Sequence, residues 1–295
     1  NRIYRVIWNC TLQVFQACSE LTRRVGKTST VNLRKSSGLT TKFSRLTLGF
    51  AGTNGSASGA SLEVDNDQIT NIDTDVAYDA YLVGWYGTGV LNILAGGNAL
   101  NQITTSVIGG NENSKGTVNV LGGTWRLYDS GNNARPLNVG QSGTGTLNIK
   151  QKGHVDGGYL RLGSSTGGGT VNVEGEDSVL TTELFEIGSY GTGSLNITDK
   201  VSHEFNRRHL GYQAGSNGQV VVEKGGEWLI KNNDSSIEFQ IGNQGTGEAT
   251  IREGGLITAE NTIIGGNATG FGTLNVQDQR LCLTVRRLYN GYFGS

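Results

Sequence analysis

Histidine occurs three times in this 295-residue chain, cysteine three times, proline once and methionine not at all. The scarcity of histidine and cysteine removes most metal chemistry. Cys10 and Cys18 lie near the start and Cys282 stands alone in the rest. One distant thiol offers neither a zinc ligand set nor a disulfide framework, and it reads as a small buried hydrophobe. No apolar run approaches the roughly 18–20 residues that a membrane-crossing helix needs. No cofactor and no bound metal are expected.

What the chain does have is glycine, 47 residues of it, without a collagen triplet. Such a composition fits either turn-rich all-β structure or low complexity, and regular Leu/Val/Ile pairs favour the ordered option. Charge is divided along the chain. Residues 1–60 carry nine Lys/Arg against Glu20 alone, a net of +8, and the remainder holds 15 Lys/Arg and 24 Asp/Glu, a net of −9. A basic leader therefore precedes an acidic body, which lacks the electrostatic footprint of a nucleic-acid binder.

The phrase GTGTLNI (143–149) returns in close copies. An apolar-Gly pair recurs at glycines 84, 109, 140, 163, 188, 211, 242 and 265, with spacings of 25, 31, 23, 25, 23, 31 and 23. A fixed unit in this range marks a solenoid. Each unit then reads Gly-x-apolar-x-apolar, as in TVNV (117–120), TLNI (146–149) and SLNI (194–197). Period-two alternation puts Leu147 and Ile149 on one face of a strand, Thr146 and Asn148 on the other. The glycines supply turns. Units of about 23 residues suit one coil of a parallel β-helix, with three short strands and three corners. The expected fold class is therefore an all-β parallel β-helix of about nine or ten coils over residues 61–295. Leu147 and Leu195 belong to its apolar column, and Asn92, Asn119, Asn148, Asn172, Asn196 and Asn275 form an outward amide ladder.

The leader begins NRIYRVIWN (1–9), with SEL at 19–21 and a basic stretch after it. These residues resemble the extended signal-peptide region of large Gram-negative autotransporters, departing from it at Phe15, Gln16 and Cys18. The resemblance implies that residues 1–24 are that region and that residues 25–60 are a secretory signal. Arg34, Lys35, Lys42 and Arg45 supply its basic part, LTLGFAG (46–52) a weak apolar part, and SASGA (56–60) the small residues for cleavage between Ala60 and Ser61. The body resembles the passenger repeats of diffuse-adherence (AIDA) type autotransporters. That likeness implies adhesion, self-association or biofilm formation at the cell surface or outer membrane, after export through the periplasm. It implies host or bacterial surface molecules, or like copies on other cells, as partners. It also implies export and outer-membrane assembly machinery, and a C-terminal barrel that this chain does not contain. The chain is accordingly read as a piece of a longer protein.

Chemistry is sought where the repeat departs from its template. HEFNRRH (203–209) places His203 and His209 six apart, not the four apart on a helix that the H-E-x-x-H motif requires. GTGTLNI lacks the Gly-Lys-Ser/Thr ending of a phosphate loop, and no nucleophile elbow is expected. The acids Glu174, Glu176, Asp177, Glu183 and Glu186 read as a solvated face, with paired carboxylates of a glycosidase as the alternative. The two 31-residue units each hold an insertion after a tryptophan, Trp125 or Trp228. Asp129, Asn132, Asn133 and Arg135 in the first insertion, and Asn232, Asn233 and Asp234 in the second, are the candidate binding residues, projecting from the rod. Three readings stay open: a non-enzymic adhesin passenger, a β-helical polysaccharide-active enzyme, and a degenerate fragment without function. VSHEFNRRH (201–209), RLCLTVRR (280–287) and the weak signal core fit the last.

Overall fold

The structure is a computed structural model that describes residues 60–198, 209–230, 239–259 and 262–277. It gives the backbone alone at 5–9, 14–18, 205–208, 260–261 and 282–290. The chain divides into two compact units, Asn1–Leu48 and Gly49–Ser295. In the first, strands Arg5–Asn9 and Val14–Cys18 pair antiparallel, Arg5 opposite Cys18 and Asn9 opposite Val14.

The second unit is a three-sided parallel β-solenoid, and no described residue is helical. Its first face is a sheet of nine strands in unbroken chain order, from Gln68–Ile72 to Phe271–Val276. Nine such strands enclose about eight full turns, slightly fewer than the nine or ten coils expected from the sequence. The second face carries short strands such as Asn98–Asn101, Thr124–Arg126 and His154–Asp156. The third carries Ser106–Ile108, Pro136–Val139 and Tyr159–Leu162. In three coils the second and third faces run together as one strand, Val179–Ile187, Leu256–Ile264 and Cys282–Asn290. The repeat also starts one coil earlier than its glycine phrase, with Leu62–Val64 and Gln68–Ile72.

Register explains why the phrase recurs. Leu91, Val118, Leu147, Val171, Leu195, Val220 and Ala249 stack directly in consecutive coils and are all buried. Leu147 and Leu195 are thus two coils apart, with Val171 between them. A second column, from Ile93 through Ile149 to Ile251, runs beside it. Each fully buried aliphatic side chain contributes about 1.5–3 kcal/mol relative to exposure, and an in-register stack repeats that gain in every coil. The eight glycines of the apolar-Gly pairs all have positive φ, between 61° and 75°. That conformation turns the chain from the third face into the first, and a side chain there is disfavoured.

The amide ladder is present and directional. The Nδ2 of Asn92 donates to Oδ1 of Asn71, and the same 2.8 Å bond joins Asn119 to Asn92, Asn148 to Asn119, Asn172 to Asn148 and Asn196 to Asn172. It therefore begins at Asn71, outside the sequence-based list. It also stops at Asn196, because Val221 and Thr250 occupy the next two positions. Asn275 is not a member: its Nδ2 donates to Glu248 Oε1 at 2.7 Å.

From Phe205 and from Cys282 onward, the two segments that break the sequence template follow the strand path. Phe205–Leu210 pairs parallel with the preceding coil, Leu210 opposite Ile187. Cys282–Asn290 pairs with Leu256–Ile264 along its length.

Candidate binding surfaces

The first insertion leaves the coil at Leu127 and returns at Arg135. Leu127 is buried, and the Arg135 amide donates to its carbonyl at 2.7 Å. An antiparallel bridge joins Tyr128 to Ala134, so the segment is a small hairpin. Asp129 organises its tip. One carboxylate oxygen accepts the Gly131 amide at 2.9 Å and the Asn133 amide at 2.8 Å, and the other accepts Asn133 Nδ2 at 2.9 Å. Arg135 Nη2 closes the cluster as an ion pair with Asp129. The Asn133 backbone amide, then its side chain, and after them Arg135 draw the Asp129 pKa down to about 2. Asn132 takes a left-handed turn position, φ 60°.

Only Ser130 to Asn133 stand exposed. The rest of the hairpin folds back onto the following coil, contrary to the expectation of a freely projecting loop. The Tyr128 ring fills the space beside Gly157, and the Arg135 carbonyl takes the space beside Gly158, so that neither glycine could carry a Cβ. The Tyr128 hydroxyl reaches Glu183 at 3.4 Å, two coils on. The structure thus brings Asp129, Asn133 and Arg135 together, and the Asp129 carboxylate is spent within the cluster, while Arg135 Nε is buried without a partner. In the second insertion, Asn232, Asn233 and Asp234 lie outside the described residues. The tryptophans do not reach outward. Trp125 and Trp228 are wholly buried, Trp125 edge-on to Tyr81 at 5.4 Å and Trp228 edge-on to Phe239 at 5.1 Å.

A different surface lies on the third face. The residue two before each corner glycine holds one register position there, giving in order Leu82, Val107, Asn138, Arg161, Glu186, His209, Gln240 and Ile263. The ends of this row are apolar and the five central members polar. Arg161 Nε meets Glu186 Oε2 at 3.3 Å, and the Ser189 hydroxyl donates to the same oxygen at 2.6 Å. Glu186 is only 8% exposed. His209 Nδ1 lies 3.0 Å from Gln240 Oε1, and its ring lies 4.9 Å from that of Tyr212. Asn138, Arg161, Ser164, Glu186, Tyr190 and Tyr212 line a groove of about 330 Å³. That volume is at the small end of ligand clefts. Sequence reasoning missed the groove, although aligning the residue two before each apolar-Gly pair would have shown the polar run.

Other candidates resolve into structure. The run GSSTG (163–167) has the spacing of a nucleophile elbow, contrary to the sequence expectation. It turns from strand Tyr159–Leu162 into strand Gly168–Glu174, not into the helix that such an elbow needs. Glu174 pairs with Lys150 and Asp177 with Lys152, both at 2.9 Å. His203 lies outside the described residues. Among the described residues no group of three His, Cys, Asp or Glu is placed to hold a metal. Ala60 and Ser61 directly precede the first solenoid strand, and the Ala60 carbonyl accepts the Asp79 amide at 3.0 Å.

The leader matches the family model for the extended signal peptide of type V secretion systems over residues 1–49. The chain is 90% identical over 299 residues to the "uncharacterized lipoprotein YdeK" of Escherichia coli strain K12. That alignment covers all of this chain and 23% of the relative, so the chain spans about a quarter of the relative's length. No solved structure matches. An extended signal peptide of this kind and a parallel β-solenoid in one chain fit a secreted type V passenger.

Proposed function

We propose that this chain is the leader and a passenger segment of a diffuse-adherence-type autotransporter, acting at the cell surface in adhesion or self-association without catalysing a reaction. The observation that carries this reading is a type V extended signal peptide at residues 1–49 in the same chain as an in-register solenoid. A surface that repeats the same polar residues coil after coil suits many weak contacts, whose avidity grows with number rather than with one tight pocket. Surface molecules of host or bacterial cells, or copies of the same chain on neighbouring cells, are the partners.

The cleavage site between Ala60 and Ser61 belongs to this reading, and so does passage through the periplasm. The Escherichia coli relative is named a lipoprotein. In this chain no cysteine lies between Cys18 and Cys282, so a thiol-linked lipid has no acceptor at the 60/61 junction. The polysaccharide-active alternative draws on the groove. Hydrolysis by paired acids uses two carboxyl groups flanking the scissile bond, and the groove is lined by Glu186 alone, already engaged by Arg161 and Ser189. That favours binding without turnover.

Display of this segment on a non-adherent host, fused to an intact barrel, tests the reading. Clumping, or attachment to cells, matrix or abiotic surfaces, is the expected result. Folded, displayed segment with none of these behaviours would sink it, and turnover of a glycan would replace it with the enzymic reading.

A further inference from the structure

We infer that the third-face groove from Asn138 to Tyr212 binds an extended, neutral oligosaccharide lying along the solenoid axis, with one sugar facing each coil. The assignment rests on the passenger reading only for the setting in which such a ligand would be met.

The groove chemistry is that of sugar recognition. Tyr190 is 59% exposed and Tyr212 stands in the next coil, so two aromatic rings line one end of the groove. The apolar C–H face of a pyranose packs on such a ring, while the phenol stays wet. In the preceding coils the lining adds the Asn138 amide, the Ser164 hydroxyl and the Arg161–Glu186 pair. Adjacent sugar hydroxyls donate and accept at once, which matches an amide and a planar guanidinium–carboxylate pair.

Two lining atoms are short of partners. Asn138 Oδ1 and Ser164 Oγ are shut off from solvent and make no hydrogen bond within the protein. Buried polar atoms nearly always have a partner, so a small adjustment that lets a ligand hydroxyl reach them would satisfy both.

Spacing and charge narrow the ligand. Successive coils lie about 4.8 Å apart, close to the advance of one residue in an extended β-1,4-linked glycan. Asn138, Arg161, Glu186 and Tyr212 come from four consecutive coils. Three steps between them span about 14 Å, enough for a tri- or tetrasaccharide. Among the described residues the one cation lining the groove, Arg161, faces Glu186 at 3.3 Å. With its charge compensated in place, these lining residues present no excess positive charge to select a sulfated or uronic chain. The row turns apolar at Val107 on one side and, past Gln240, at Ile263 on the other, both buried.

The test titrates the full chain, by calorimetry, with neutral β-1,4-linked oligosaccharides of two to six residues and with a sulfated hexamer for comparison. Affinity should rise with length and flatten at about four residues, the number of coils lining the groove at about 4.8 Å each. Tyr190→Ala and Tyr212→Ala should each weaken binding about three- to tenfold, the range an aromatic contact supplies. Their melting temperatures report that the solenoid is intact. Glu186→Gln, which leaves Arg161 uncompensated, should shift preference toward the sulfated hexamer. No neutral glycan bound by folded protein, affinity indifferent to both tyrosine variants, or a wild-type preference for the sulfated hexamer would each overturn the assignment. These outcomes are read on purified chain. They therefore stand apart from the display experiment, which can fail with the groove still binding sugar, or succeed through other contacts.

Discussion

The carbonyl oxygen of Gly168 occupies the space that a Cβ on Gly140 would need, one coil below it. Gly140 has φ 69°, so two independent constraints fall on one position. The first is conformational, since an L side chain is disfavoured in the left-handed region. The second is steric, and backbone of the next coil cannot swing aside as a flexible side chain would. The same pair of constraints recurs at six of the other seven corners, for example between Gly188 and the Asn217 carbonyl; at Gly265 only the conformational one applies. Glycine at these corners is therefore required by stacking as well as by the turn.

Gly140→Ala should cost on the order of 3 kcal/mol, the upper end for a strained backbone position before the clash is counted. Gly168 provides the control. A Cβ there meets nothing within 4 Å, and its register neighbours are Thr144 and Thr192. Gly168→Thr should be neutral or gain about 0.5 kcal/mol through strand propensity and cross-strand contact. Urea midpoints of the two variants decide the matter; comparable losses in both would refute the stacking argument.

The ladder predicts a graded response at Asn148. Its Nδ2 donates to Asn119 and its Oδ1 accepts from Asn172, both at 2.8 Å. Asn148→Ala removes both bonds and leaves two half-buried amides for water to satisfy, a loss of about 1–2 kcal/mol. Asn148→Val should cost less, because valine suits the strand and the chain already carries Val221 at the equivalent place with pairing intact. A larger loss for valine than for alanine, measured by thermal unfolding, would mean that a β-branched side chain does not fit this ladder position, against the precedent of Val221.

These residues also show which parts of the molecule the sequence discloses. The corner glycines and the Leu147 column repeat at fixed spacing, so coil length and inward face are legible without coordinates. Asn71 escaped because its strand follows Asn66 and Asp67 rather than a glycine phrase. Asn275 was misassigned because the TLNV motif was matched one unit at a time, whereas a ladder needs a partner in the adjacent coil and finds Thr250 there. The Asp129 cluster depends on a hairpin folding back onto Gly157 and Gly158, a non-local event that leaves no periodic trace. The groove is assembled from one or two residues in each of four coils, so no contiguous motif announces it. It becomes visible only as a column of the aligned repeats.

Asp129 gives a pH prediction of definite sign. Its carboxyl is drawn down to about 2 by the Asn133 amide and side chain and by Arg135. The folded hairpin therefore holds the ionised form more tightly than the unfolded chain does. That contribution is complete above the ordinary carboxylate range and is lost as pH falls through about 2. The Asn133 amide resonance should follow this titration, and Asp129→Asn should abolish it. A midpoint near the ordinary aspartate value would show that the cluster does not form in solution.

The last prediction concerns where the exported chain begins. Leu62 is the first residue of the solenoid, and its amide donates to the Ala80 carbonyl at 2.9 Å. Among the described residues, cleavage after Ala60 would forfeit only the bond from the Asp79 amide to the Ala60 carbonyl, at 3.0 Å, if the released end moves away. Cleavage a few residues later would remove strand Leu62–Val64 and, with it, Asp65. That carboxylate caps the first corner by accepting the Tyr86 and Gly87 amides, each at 2.7 Å. Burial and structure thus favour a mature end at Ser61, whose side chain is exposed and takes no part in the first strand. Intact-mass and N-terminal peptide analysis of exported protein should find Ser61 first and carrying no lipid, since the nearest following cysteine is Cys282. A mature end beyond Asp65 would contradict the structural argument, and a lipidated N-terminus would contradict the chemical one.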